Sequence, residues 1–220
     1  RNRVVTLREW VGRRLRAGLR FLEMNGAGSA LAAPAPHSFL TERLGLVPAT
    51  PASLRADLQG AAALAAVLGV AVPDGWPPDL YDRDAVLFVL EGMRRAPGTP
   101  NWWLYYAVRR GVAGVPPVVV GCVGYKGPPE RGTLEIGYSI LTQHRGQGYA
   151  TEAASALTRA GFDDAGVRRV IAETLPTLAA SRRVLQKCGF RRVPGASGPG
   201  ILRYELSRAR AAAESSRAGA

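Results

Sequence analysis

The stretch with the most evident chemistry is a glycine turn, Gln143-His144-Arg145-Gly146-Gln147-Gly148-Tyr149-Ala150-Thr151-Glu152-Ala153. An apolar, strand-like run (Leu134 to Leu141) ends just before it, and an amphipathic, helix-like run (Tyr149 to Ala160) starts at its end. A glycine turn between a strand and a helix N-terminus aims several backbone N–H groups at one spot. The helix dipole adds partial positive charge there. Such a turn suits a phosphate or another anion.

The identity of that anion narrows by elimination. A dinucleotide turn needs a third glycine, and this chain has Thr151 at that place. A phosphate-binding P-loop needs Gly-Lys-Ser/Thr, which the sequence lacks. The two histidines, His37 and His144, and the two cysteines, Cys122 and Cys188, have no metal-ligand spacing, so no metal is expected. His144 reads as a surface residue. Cys122 falls in an apolar strand and reads as core. Cys188 adjoins a helix C-terminus, where the dipole disfavours a thiolate nucleophile.

Composition sets the frame. The chain has 220 residues, 47% hydrophobic and 21% charged, which suits one globular domain with a sizeable core. No window of about 18 apolar residues is present, so no membrane span is expected. Scarce cysteine points to a reducing, cytoplasmic setting. The net charge is +12, but residues 1–23 carry +5 of it and residues 207–220 another +2. The body is left at +5, without an aromatic-rich basic stretch, so no nucleic-acid partner is expected.

The elements that must position the turn follow in order. Residues 1–24 form a basic amphipathic helix pattern that is membrane-binding, packed on the domain, or foreign to the native product, since Met24 could be a start. Residues 25–38 read as a linker, residues 39–207 as the folded domain and residues 208–220 as a disordered tail. Within the domain the pattern predicts a strand over 42–48 and one helix from Thr50-Pro51 to Leu68. A loop over 72–78 and a helix over 82–95 follow. Strands are expected over 102–109, 118–125 and 133–141, with short connections that suit an antiparallel meander. Then come helix 149–160, strand 167–174, helix 179–187, and strands at about 189–193 and 201–207. A helical crossover between strands 133–141 and 167–174 makes them parallel. The expectation is a mixed sheet in an α/β (α+β) fold with helices on both faces.

The turn and its surroundings resemble the GCN5-related N-acetyltransferase superfamily, in the branch of the ribosomal-protein alanine and serine acetyltransferases. The Gln/Arg-x-x-Gly-x-Gly/Ala signature of that superfamily begins here at Gln143. Glu135-Ile136-Gly137-Tyr138-Ser139-Ile140 precedes it; Ala172-Glu173-Thr174-Leu175-Pro176 and Ser181-Arg182-Arg183-Val184-Leu185-Gln186-Lys187-Cys188-Gly189-Phe190 follow. The resemblance covers about residues 40–207, and its specific motifs lie in 133–193. It implies acetyl-CoA as co-substrate. Strands 133–141 and 167–174 would splay at their C-terminal ends to admit the pantetheine arm against Ser139, Ile140 and Leu141. The pyrophosphate would rest on Arg145, Gly146, Gln147, Gly148, Tyr149 and Ala150.

Acetyl transfer to an amine makes further demands. A base or water relay must take the amine proton, the thiolate leaving group gains from a proton donor, and the oxyanion needs an N–H. The resemblance implies Glu173 or Glu135 as base, although each equally suits a cross-strand ion pair. Glu152, in a first helical turn, is explained by the macrodipole. The tyrosine that many members place four residues before Gly-Phe is Leu185 here, and the usual asparagine is Leu178. Ser181 matches the serine that the serine-acetylating branch places near the thiol. The acceptor would be a peptide N-terminus or small-molecule amine, attacked directly in a ternary complex, by a monomer or homodimer. Residues 69–101, with Trp76, Trp102 and Trp103, are the expected specificity region unless these aromatics are core. Two other readings stay open: a non-catalytic acyl-CoA sensor, motivated by Leu178 and Leu185, and a basic nucleic-acid or membrane-surface module using residues 1–23.

Overall fold

The computed structural model describes residues 38–218. The basic amphipathic segment 1–24 and most of the linker 25–38 lie outside the described residues. The described chain builds one eight-stranded sheet in the order β1-β2-β3-β4-β5-β6-β8-β7. Its strands are β1 (Phe39–Leu40), β2 (Leu44–Pro48), β3 (Leu104–Arg109), β4 (Val118–Tyr125), β5 (Thr133–Ile140), β6 (Arg169–Thr174), β7 (Arg191–Val193) and β8 (Leu202–Ser207). Every neighbouring pair is antiparallel except β5 and β6, which are parallel. The mixed sheet with a parallel central pair is thus as the crossover argument requires.

Helices cover both faces, and each face has its own core. On one face α1 (Pro51–Asp57), α2 (Ala61–Leu68) and α3 (Arg83–Arg95) bury Leu54, Leu64, Val86 and Val89 against Tyr106, Val119 and Cys122. On the other, α4 (Tyr149–Asp163) and α5 (Ala179–Lys187) bury Ala153, Leu157 and Leu185 against Leu134, Ile136, Val170 and Ala172. Period-two alternation sorts the strand residues: Leu134 and Ile136 face α4, and Glu135 faces the α1–α3 side.

The departures from the sequence reading have local causes. The helix expected over 51–68 is two helices, because Gly60 at φ 114° breaks it. Residue 102 closes a short 3₁₀ turn (Pro100–Trp102), so β3 starts at Leu104. The two-residue β1 gives too short a pattern to read. The disordered tail expected from residue 208 is instead a helix, α6 (Arg208–Ala218). Its first residue anchors it: Arg208 Nε donates to Val167 O at 2.9 Å, and its guanidinium lies 5.3 Å from the Phe162 ring centroid.

Candidate acyl-transfer cleft

β5 and β6 pair only from Thr133↔Arg169 to Ile136↔Ala172. β5 continues to Ile140 on β4 alone, and β6 continues to Thr174 on β8 alone. The two strands therefore part at their C-terminal ends, and the edge of β5 from Gly137 to Ile140 that faces β6 has no ladder partner. A cavity of about 250 Å³ occupies the gap. Tyr138, Thr174, Leu178, Ser181 and Leu185 line it on the α4–α5 side; Leu80, Tyr81, Phe88, Val89 and Cys122 line it on the α1–α3 side. The cavity thus takes its lining from both faces of the sheet, in the gap between the parting strands.

The glycine turn stands at the head of α4. Gly146 (φ 77°) and Gly148 (φ 85°) are left-handed, a conformation that a side chain at Cβ disfavours, and Gly148 is the N-cap without a side-chain cap. Glu152 N–H makes the first helical bond, to Gly148 O at 3.0 Å, so the N–H groups before it have no intrahelical partner. Residues Arg145 to Gly148 are all exposed. The turn is accessible, and its free N–H groups suit an anion.

Two arginines flank it. Arg145 donates through Nε to Ile140 O at 3.0 Å and pairs through Nη2 with Asp79 Oδ2 at 2.8 Å. Ser139 Oγ donates to Asp79 O at 2.6 Å. Thus two of the residues expected to meet the donor molecule are also tied to the segment before α3. The second arginine, Arg43, was not singled out in the sequence. Its Nη1 donates to Gln147 O at 2.8 Å, and its guanidinium lies 4.8 Å from the Tyr149 ring centroid. Glu152 holds it there, with Nη2 2.7 Å from Oε2 and the Arg43 N–H 2.7 Å from Oε1. Burial works to raise the Glu152 carboxyl, but the bonds from Thr41 and Arg43 outweigh it and hold the group below its ordinary range. The macrodipole alone does not explain Glu152: it anchors β2 and Arg43 to the turn.

The candidate bases separate by position. Glu173 lines the cavity and Glu135 does not. Both make the ion pairs that the simpler alternative required. Glu135 lies 2.7 Å from Lys126 Nζ. Glu173 is the register partner of Arg203 on β8 and accepts from Arg203 Nε at 2.9 Å and Nη2 at 2.8 Å. Ser197 adds its N–H at 2.9 Å and its hydroxyl. Burial pushes the Glu173 carboxyl up, yet these donors outweigh it and hold it below the usual carboxylate range. It is an ionised acceptor and a weak base.

On the α5 side, Ser181 Oγ lies 3.2 Å from the Tyr138 hydroxyl, which also donates to Ser181 O at 3.0 Å. Burial pushes the Tyr138 hydroxyl up, so it stays protonated. Leu185, at the position where the resemblance implies a tyrosine, is buried at the cavity wall. A phenol therefore reaches this cavity from β5 rather than from α5. The Thr174 hydroxyl, also at the wall, is buried without a hydrogen-bond partner, a polar atom suited to meet an amide or carbonyl of a bound molecule. Cys188 does not line the cavity: it accepts from Ser155 Oγ at 3.3 Å, and burial raises its thiol. The burial of Cys122 raises that thiol too. His144 is lowered, by burial and then by Arg109. Among the expected aromatics, Trp76 and Trp103 are core residues, and Trp102 packs on Tyr125. Within the expected region 69–101 it is Leu80, Tyr81, Ala85, Phe88 and Val89, not the tryptophans, that line the cavity.

Comparison with known proteins agrees with this geometry. Residues 43–191 match the family described as acetyltransferase (GNAT) domain. The chain is 40% identical over 60 residues to the uncharacterized N-acetyltransferase YnaD of Bacillus subtilis, covering 27% of this chain and 35% of that protein. It is 33% identical over 84 residues to an FsC-acetyl coenzyme A-N(2)-transacetylase of Aspergillus fumigatus, covering 34% of this chain and 36% of that one. The chain thus spans about a third of the length of these two relatives. Among solved structures, an acetyltransferase of Agrobacterium tumefaciens superposes with a TM-score of 0.53 at 22% identity, over 84% of this chain and 100% of that one. RimJ of Mycobacterium smegmatis, in complex with CoA-disulfide, superposes with a TM-score of 0.53 at 21% identity, over 84% of this chain and 96% of that one.

Proposed function

Because the chain belongs to the GNAT acetyltransferase family, we propose that it transfers the acetyl group of acetyl-CoA to a primary amine by direct attack in a ternary complex. The observation that carries this reading is the parting of β5 from β6 beyond Ile136↔Ala172, with a cavity in the gap beside an exposed glycine turn. The turn from Arg145 to Ala150 is suited to the pyrophosphate, and Arg43 and Arg145 add charge. The unpaired edge of β5 suits the amides of the pantetheine arm. Thr174 offers a buried hydroxyl.

The acceptor enters from the α1–α3 face. An α-amine, with a pKa near about 8, is partly neutral at neutral pH, so the weakly basic Glu173 has a modest task. The nitrogen attacks the thioester carbonyl. The carbon–sulfur bond breaks as CoA leaves, and Ser181, supported by Tyr138, is placed to meet the thiolate with a proton. A peptide N-terminus is favoured over a side-chain lysine on this ground, since lysine is almost wholly protonated.

The test is free-thiol release from acetyl-CoA in the presence of short peptides and small amines. Acetylated product in step with thiol release is expected. Tight CoA binding without thiol release for every amine would instead establish an acyl-CoA sensor.

A further inference from the structure

The part of the cavity wall contributed by α3 and the segment before it is apolar except at one hydroxyl. Leu80, Ala85, Phe88 and Val89 surround Tyr81, which is only 5% exposed. The Tyr81 hydroxyl donates to Asp57 Oδ2 at 2.7 Å. Tyr106 donates to the same oxygen at 3.1 Å, and Trp76 Nε1 donates to Asp57 Oδ1 at 2.6 Å. Asp57 ends α1 and is 9% exposed. Among the described residues, no lysine, arginine or histidine forms an ion pair with it.

A buried carboxylate met only by neutral donors is costly to keep, and apolar residues of similar shape would hold the same packing more cheaply. What the charge adds is a pull on a cation across a low-dielectric wall. The other charges at the cavity are neutralised in place: Glu173 by Arg203, and Lys126 by Glu135. Tyr81 uses its hydroxyl hydrogen in the bond to Asp57, so its own oxygen keeps acceptor capacity polarised by the carboxylate behind it. The neighbouring Leu80 is held at φ 64°, an uncommon left-handed conformation for leucine, while 57% exposed at the same cavity. Such a conformation persists where the surroundings fix it. Here the ties of Asp79 to Ser139 and Arg145 fix the segment on one side, and those of Trp76 and Tyr81 to Asp57 fix it on the other.

We propose that Tyr81, backed by Asp57, is the point that receives the acceptor's ammonium, and that the acceptor carries a single primary amine on an apolar body. This rests on the reading of the cavity as the acyl-transfer cleft. A polyamine or aminoglycoside would bring further cations to a wall where the one lining carboxylate, Glu173, already belongs to Arg203.

Calorimetric titration of phenethylamine into protein saturated with CoA tests this without any turnover. The wild type should bind the amine. Tyr81→Phe, which keeps the ring against Trp76, should weaken it at least tenfold while leaving CoA affinity unchanged. Asp57→Asn should do the same, and its thermal melt separates lost binding from lost fold. Spermidine should bind no more tightly than phenethylamine. Phenethylamine affinity unchanged in Tyr81→Phe, no binding to the wild type, or tighter binding of spermidine each overturns the assignment. Failure of CoA itself to bind is a separate result and removes the cleft reading.

Discussion

Replacement of Gly148 probes the anion seat directly. Gly148 caps α4 at φ 85°, and a Cβ built there would lie 3.2 Å from Arg43 Nη2. Gly148→Ala therefore carries backbone strain of about 1 kcal/mol and nudges Arg43 by a few tenths of an ångström. In a domain of this size that lowers the melting temperature by about 2–4 °C. Gly148→Asp carries similar strain and adds a negative charge to the seat. With the charge about 6 Å from the pyrophosphate and an effective dielectric near about 40, each phosphate charge opposes it by about 1.4 kcal/mol. Two such charges give about 2–3 kcal/mol, or roughly 30- to 150-fold in Kd. The new carboxylate also competes with Glu152 for Arg43, which acts in the same direction. Calorimetry of CoA binding, run beside thermal melts of both variants, separates strain from charge. Equal melting temperatures with a large affinity gap between Ala and Asp are expected. A Gly148→Asp protein that binds CoA within about threefold of Gly148→Ala would refute the seat.

Glu173→Gln should lower turnover by about 10- to 100-fold without changing CoA affinity, as measured by thiol release and calorimetry; turnover within about twofold of wild type would remove Glu173 from the chemistry. Because the fold holds the Glu173 carboxyl low, its stabilising contribution is complete above the unfolded value near about 4.3 and is lost as pH falls through the lower folded value. Melting temperatures of wild type and Glu173→Gln should therefore converge from about pH 6 toward about pH 3; a constant gap contradicts this. Ser181→Ala and Tyr138→Phe should each reduce kcat by about tenfold, and the double variant by little more than either, since the two hydroxyls act as one unit. Strictly multiplicative losses in kcat would show that they do not. Gly92→Ala should destabilise by about 1–3 kcal/mol in denaturant melts despite better helix propensity, because its Cβ would fall 2.1 Å from the Trp103 ring; a stabilised variant would show that the ring moves aside freely.

The sequence carries the elements around the cleft and hides the contacts that arm it, and the difference is one of range. β4 and α5 fall at their expected bounds, because period-two and helical patterns are local. The glycine turn is local too. The contacts of Arg43 with Glu152 and Gln147 span more than 100 residues of chain. The partners of Asp57 lie 19, 24 and 49 residues away, so nothing near Asp57 marks it as a buried charge. Trp76 and Trp103 draw attention by type, yet an aromatic is as much a packing residue as a binding one, and the core claims both.

Leu185 shows why position along the chain is a poor guide to role. An α5 side chain and a β5 side chain both reach the same cavity, since the helix packs over the gap between the parting strands. A phenol lost from one can be supplied by the other without any change of fold. Here Leu185 fills the wall as core, and Tyr138 brings its hydroxyl to Ser181 from the strand. Restoring the missing group by Leu185→Tyr should therefore add bulk to a position only 1% exposed and cost stability without raising turnover.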